Sequence, residues 1–276
     1  MRLATIRTKD GTRAVRLDGD QHVELGFRDV GALLAQPDWA RWAAGEGAVS
    51  PASSADFAPV VPRPSKVVCV GHNYSDHIRE MGRDLPQFPT LFPKFADTLL
   101  GAYDDVVKPP ETEALDWEVE LAIVIGTPVR RATEQEALSA IAGFTVMNDI
   151  SMRDWQFRTV EWTQGKVWDS STPLGPYLVT PDELDGGVHP DLTVRTLVDG
   201  VVMQEDRTGT LLFDPVHLVR YVSTVVRLNP GDVIATGTPA GVGHARTPPL
   251  YLVGGEIVVA DVSGLGACRN LIVKGS

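Results

Sequence analysis

The hydrophobic pattern that organises this chain lies at Leu115–Gly126, which reads LDWEVELAIVIG. Its second half is an unbroken apolar run, the pattern of a strand buried on both faces. Its first half alternates. Asp116, Glu118 and Glu120 fall on one strand face, with Trp117, Val119 and Leu121 on the other. At a strand's rise, Glu118 and Glu120 sit about 6–7 Å apart. Carboxylates this close on entry to a buried strand must protonate, pair with cations or bind a metal.

The same reading, taken along the chain, predicts short strands at Leu3–Arg7, Arg13–Leu17 and His22–Leu25, separated by Asp10-Gly11 and Gly19-Asp20 turns. Val30–Ala44 reads as one helix, capped by Asp29 and stopped at Gly45. A stretch rich in Pro, Ala, Gly and Ser follows and suits a connector, with a domain boundary near residue 62. The expected division is a small N-terminal unit over 1–62 and a larger one over 63–276. The larger part starts with a strand at Lys66–Val70. Tyr74–Met81 suits a short helix within a long Pro-punctuated loop, and loops of that length after a buried strand are often functional. Glu134–Ala140 reads as a helix, Gly143–Met147 as a strand ending in NDISMRDWQ, and Glu161–Leu174 as an irregular loop. Asp199-Gly200 joins a hairpin. Asp214-Pro215 opens a helix to about Arg227. Val233–Thr236 is a strand, followed by GTPAGVG, a hairpin around Gly254-Gly255 and a last strand near Asn270–Val273. Many short strands with few helices give an α+β, mainly β, fold.

Composition narrows the function. The net charge of -11 disfavours nucleic acid or an anionic membrane as partner. An acidic protein with an acidic substrate must concentrate positive charge locally, so isolated Lys and Arg residues in apolar or Gly-rich surroundings gain interest. Cys69 and Cys268 form no CxxC pair, and Cys69 in KVVCVG reads as a buried thiol. The first residues hold no secretory apolar core, and no run reaches membrane-spanning length. The expected location is the cytoplasm.

Three groups of residues could carry chemistry. Glu118, Glu120 and Asp149 converge if their strands are neighbours. Three carboxylates without His or Cys suit Mg²⁺ or Mn²⁺ rather than zinc; otherwise they face solvent on an edge strand. His77 and Glu80 share a helix face at i, i+3, so Glu80 could orient the imidazole as a general base, or the two form a solvated surface pair. Arg153, Gln156 and Lys166 could meet a substrate carboxylate or a developing enolate, or be ordinary surface groups. The Thr236–Gly243 turn is neither a P-loop nor a dinucleotide fingerprint, though its N–H groups and a Thr hydroxyl could face an anion.

Together these pieces resemble the fumarylacetoacetate hydrolase family, in its short, acylpyruvase-like branch. The matching stretches are VGHNYSDHIREMG, FPTLFPKF, DWEVELAIVIG, NDISMRDWQ, QGKVWDSSTPLGP, LNPGDVIATGTPAGVG and GLG, in family order across about residues 66–266. The resemblance implies a mixed, rolled β-sandwich with a small N-terminal domain, assembled as a homodimer. It implies Glu118, Glu120 and Asp149 as Mg²⁺ or Mn²⁺ ligands, and His77 with Glu80 as a water-activating dyad on a lid. It places Arg153, Gln156, Lys166 and Thr238 around a small 2-oxo acid, with Lys166 also stabilising the enolate. His72, Trp155 and Trp168 depart from the family pattern near the site and bear on substrate identity. The implied reaction is hydrolysis of the C–C bond of a 2,4-dioxo acid of acylpyruvate or fumarylpyruvate type to pyruvate and a carboxylic acid. The same site would also serve an oxaloacetate decarboxylase, or a 2-hydroxy-dienoate isomerase or tautomerase in aromatic catabolism.

Overall fold

The computed structural model describes residues 1–275. Strand Val119–Ile125 is buried along its whole length. It is hydrogen-bonded on one side to Ile141–Asn148, and on the other to Val233–Ala235. The large mixed sheet continues through Val67–Gly71 and Thr90–Lys94 on one side. On the other side it runs through Thr172–Val179 to Arg2–Thr8 and its hairpin partner Gly11–Asp18. A second sheet of five strands includes the hairpin Thr193–Val198/Val201–Arg207 and the C-terminal pair Ile257–Val262/Gly266–Lys274. The fold is thus mainly β, as the patterning predicts. No helix among the described residues is long and apolar enough to cross a membrane.

The period of two along Val119–Ile125 sorts its side chains between two cores. Val119, Leu121, Ile123 and Ile125 join the core under helix Pro215–Val225 and the second sheet. Ala122 and Val124 face the other core, which contains Leu33, Val67, Cys69 and Ala235. Glu120 shares the parity of Ala122 and Val124, so it opens onto this second face just where the apolar run stops.

Four details differ from the sequence reading. Leu115–Gly126 is not one strand: Leu115–Asp116 pairs with Ser151–Met152 in a separate ribbon, and the main strand starts at Val119. The helix over 30–44 is two, Val30–Leu34 and Trp39–Ala43, separated at Pro37 and Asp38, with Asp38 in the left-handed region at φ 56°. The loop over 161–174 contains helix Thr163–Lys166 and opens strand Thr172–Val179, whose Gly175 and two prolines hid it. No hairpin turns at Gly254-Gly255. The pairing turn lies instead at Ser263–Leu265, between Ile257–Val262 and Gly266–Lys274. The strands of the first 57 residues hydrogen-bond to the larger part through Arg2–Val179 and Leu3–Leu178, so the connector does not interrupt the sheet.

Candidate active site

The carboxylates converge because their strands are neighbours. Val119 pairs with Asn148, and the Asp149 N–H donates to the Glu118 carbonyl at 2.8 Å. That register sets Asp149 beside Glu118, and an oxygen from each of Glu118, Glu120 and Asp149 lies within 4.8 Å of the others. All three are buried. Burial by itself would neutralise them, so their partners decide the outcome. Lys166 Nζ donates to Glu118 at 2.7 Å and Asp149 at 2.8 Å, and Arg153 Nη1 lies 2.6 Å from Glu118. Burial pushes the Glu118 carboxyl up, but Lys166 and Arg153 outweigh it and hold the pKa down at about 2. Among the described residues Glu120 has no such partner and accepts only the Gly237 N–H, at 2.8 Å. Burial first, then Asp149 and Glu118, push its pKa well above the carboxylate range. A buried carboxyl beside two carboxylates, without a cation of its own, fits a site made for a divalent ion. An all-oxygen donor set suits Mg²⁺ or Mn²⁺.

The dyad also forms. Helix Ser75–Glu80 carries both residues, and His77 Nδ1 lies 2.7 Å from Glu80 Oε1. Glu80 in turn accepts the Gly241 N–H at 3.0 Å. With Nδ1 engaged, Nε2 is the imidazole nitrogen left for chemistry, and His77 lines the same cavity as Glu118, Glu120, Arg153 and Lys166. Gln156 and Thr238 line it too. Helix Arg153–Gln156 puts the Gln156 amide oxygen 2.9 Å from Arg153 Nη1. Thr238 Oγ1 accepts from Gln204 at 2.8 Å. Arg153 Nη2 is buried without a hydrogen-bond partner among the described residues. Trp155 and Trp168 pack edge to face at 5.1 Å rather than lining this cavity.

The Gly-rich turn has a different role from the one its pattern suggests. Its N–H groups hold the protein's own carboxylates. Gly237 binds Glu120, Gly241 binds Glu80, and Gly243 and His244 bind Asp116 at 2.7 and 3.0 Å. Gly241 is needed there: it sits at φ 100°, and a Cβ would come within 2.2 Å of the Met203 carbonyl.

Three organising residues escaped the sequence reading. Asp116, read as a third acid on the same face, is drawn aside to Arg153 Nε at 2.8 Å. Lys94 Nζ donates to Asp149 at 2.6 Å and to the Lys166 carbonyl. The one sequence signal for Lys94 was a lone lysine in FPTLFPKF. Asn73, just before helix Ser75–Glu80, ties that segment to Thr236 and Phe213 through its amide, at 2.8 and 3.0 Å. Lys166 is placed by close packing of its neighbour Gly165, where a Cβ would lie 2.4–2.6 Å from Gln156 atoms. Gly165→Ala is therefore expected to cost about 1–3 kcal/mol by overpacking and to lower activity beyond that loss. Denaturant unfolding and a rate assay on the same preparation check both effects.

The profile of the fumarylacetoacetate (FAA) hydrolase C-terminal family matches residues 66–273. An oxaloacetate tautomerase, FAHD2A, mitochondrial, from Bos taurus is 44% identical over 227 residues, covering 82% of this chain and 72% of that protein. Among solved structures, fumarylacetoacetate hydrolase from Exiguobacterium antarcticum superposes with TM-score 0.86 at 30% identity, over 100% of both chains. The 5-carboxymethyl-2-hydroxymuconate delta-isomerase from Mycobacterium smegmatis gives TM-score 0.83 at 33% identity, also over 100% of both.

Proposed function

The chain belongs to the fumarylacetoacetate hydrolase family, and we propose that it is an enzyme that moves a proton on a small 2-oxo dicarboxylic acid, interconverting its keto and enol forms. One observation carries this reading: an imidazole fixed by a carboxylate lines a cavity beside a buried cluster of three acids and three cations, Lys94, Arg153 and Lys166. That is a positioned base beside groups that can hold an enolate. The names of the bovine tautomerase and the mycobacterial isomerase favour proton transfer over bond hydrolysis.

Glu118, Glu120 and Asp149 would hold the Mg²⁺ or Mn²⁺. Such an ion supplies Lewis acidity to the oxygens of an oxo-acid head group. The chain's own residues do the rest. Arg153, which lines the cavity, donates to the head-group carboxylate. Lys166 spends two Nζ protons on Glu118 and Asp149 and keeps a third for negative charge developing on the 2-oxygen. In the keto-to-enol direction His77 Nε2 takes a proton from C3 while Nδ1–H donates to Glu80. The proton then passes to the 2-oxygen, and the reverse sequence restores the keto form. The proposal includes a homodimeric assembly, which equilibrium sedimentation reads directly.

The dyad also favours a second reading, in which His77 activates water for attack on C4 of an acylpyruvate. Oxaloacetate added as its enol separates the two. The proposal expects Mg²⁺- or Mn²⁺-dependent ketonisation, stopped by chelator, with acetylpyruvate left intact. Pyruvate release from acetylpyruvate without faster ketonisation would move the enzyme to the hydrolases.

A further inference from the structure

We infer that the outer half of the cleft is a second carboxylate subsite and that Arg83 reads the far carboxylate of the substrate. This rests on the 2-oxo acid reading and extends it to the other end of the same molecule. The cavity lined by Glu118 and Glu120 is about 30 Å³, and an open depression of about 510 Å³ shares part of its wall. Little more than an oxo-acid head group fits inside, so the remaining atoms must point outward. His72, Arg83, Phe92, Phe157 and Trp162 border both spaces.

The shared wall has an apolar floor and one free cation. Trp162 packs between His72, at 5.0 Å between centroids, and Phe92, at 5.6 Å. Gly71 makes room for it, since a Cβ there would lie 2.3 Å from the indole. Arg83 follows directly from the dyad helix. Gly82 turns at φ 68° and the Arg83 N–H donates to the Ile78 carbonyl at 3.1 Å, a hydrogen-bonded helix stop that fixes where the side chain starts. Among the described residues Arg83 has no carboxylate within 4.0 Å, although Glu161 also lines the outer depression. His72 adds no charge at neutral pH: burial, then the charges of Arg83 and His77, lower its pKa to about 4. A guanidinium at the outer end and the acid cluster with its cations at the inner end suit a short chain bearing a carboxylate at each end.

Calorimetric titration of the full chain in Mg²⁺ tests this with a matched pair, 2-oxoglutarate and 2-oxopentanoate, which differ by the distal carboxylate. The wild type is expected to prefer 2-oxoglutarate by about tenfold or more. Arg83→Gln should erase that preference while leaving 2-oxopentanoate affinity unchanged, and Arg83→Lys should keep part of it. A preference that survives Arg83→Gln, its absence from the wild type, or equal losses on both ligands would overturn the assignment while leaving the 2-oxo acid reading intact. If neither ligand binds the wild type, that underlying reading falls, and the subsite with it.

Discussion

Glu120→Gln is expected to reduce metal-dependent turnover by a factor of about 10³ or more without destabilising the metal-free protein. Glu120 has no ion pair to lose, and its contact with the Gly237 N–H at 2.8 Å needs only an acceptor oxygen, which the amide retains. Burial, Asp149 and Glu118 already favour its neutral form in the metal-free protein, which the amide matches. Thermal unfolding in chelator should therefore give a Tm no lower than that of the wild type, while Mn²⁺ affinity falls by about 100-fold or more. Glu118→Gln makes the contrast. It breaks buried pairs with Lys166 and Arg153, so stability should fall with activity, by about 3–5 kcal/mol. Wild-type Mn²⁺ affinity in Glu120→Gln would remove this residue from the ligand set.

His77→Ala carries the second large effect. It should lower kcat by about 10²–10⁴ while leaving KM within about twofold and Mn²⁺ affinity unchanged, because His77 lines the cavity without pairing to any of the three acids. Glu80→Gln should cost less, since Glu80 acts through His77 and still has the Gly241 N–H to hold it. A drop in Mn²⁺ affinity as large as the drop in kcat would mean that His77 supports the acids rather than moving protons.

Much of the site could be read from local spacing. Glu118 and Glu120 share a face by the period of two, Asp149 ends the neighbouring strand, and His77 and Glu80 share a helical turn. Each of these relations spans a few residues or one strand pairing. What stayed hidden depends on distant segments. Asp116 looked like part of the same acid row, yet the strand breaks at Trp117 and its carboxylate gathers N–H groups from Gly243 and His244 together with Arg153. Lys94 gives no local sign of its ion pair with Asp149, because the two lie 55 residues apart, Lys94 on strand Thr90–Lys94 and Asp149 just past strand Ile141–Asn148. The Gly-rich turn looked like a place for a ligand anion, but its donors are filled by Glu120, Glu80 and Asp116. In the fold, Pro37 and Asp38 divided a helix that hydrophobic spacing had joined. Gly175 and its flanking prolines masked strand Thr172–Val179, which links the N-terminal hairpin to the central strands.

In the proposed reaction His77 moves a proton at C3 of a 2-oxo dicarboxylate. Deuterium exchange at C3 of 2-oxoglutarate, followed by proton NMR in D₂O with Mg²⁺, tests it most directly. Wild-type enzyme is expected to exchange the C3 protons, exchange stopping in chelator and in His77→Ala, with no C–C bond broken. Pyruvate release from acetylpyruvate by a wild-type enzyme that exchanges no C3 proton would contradict it.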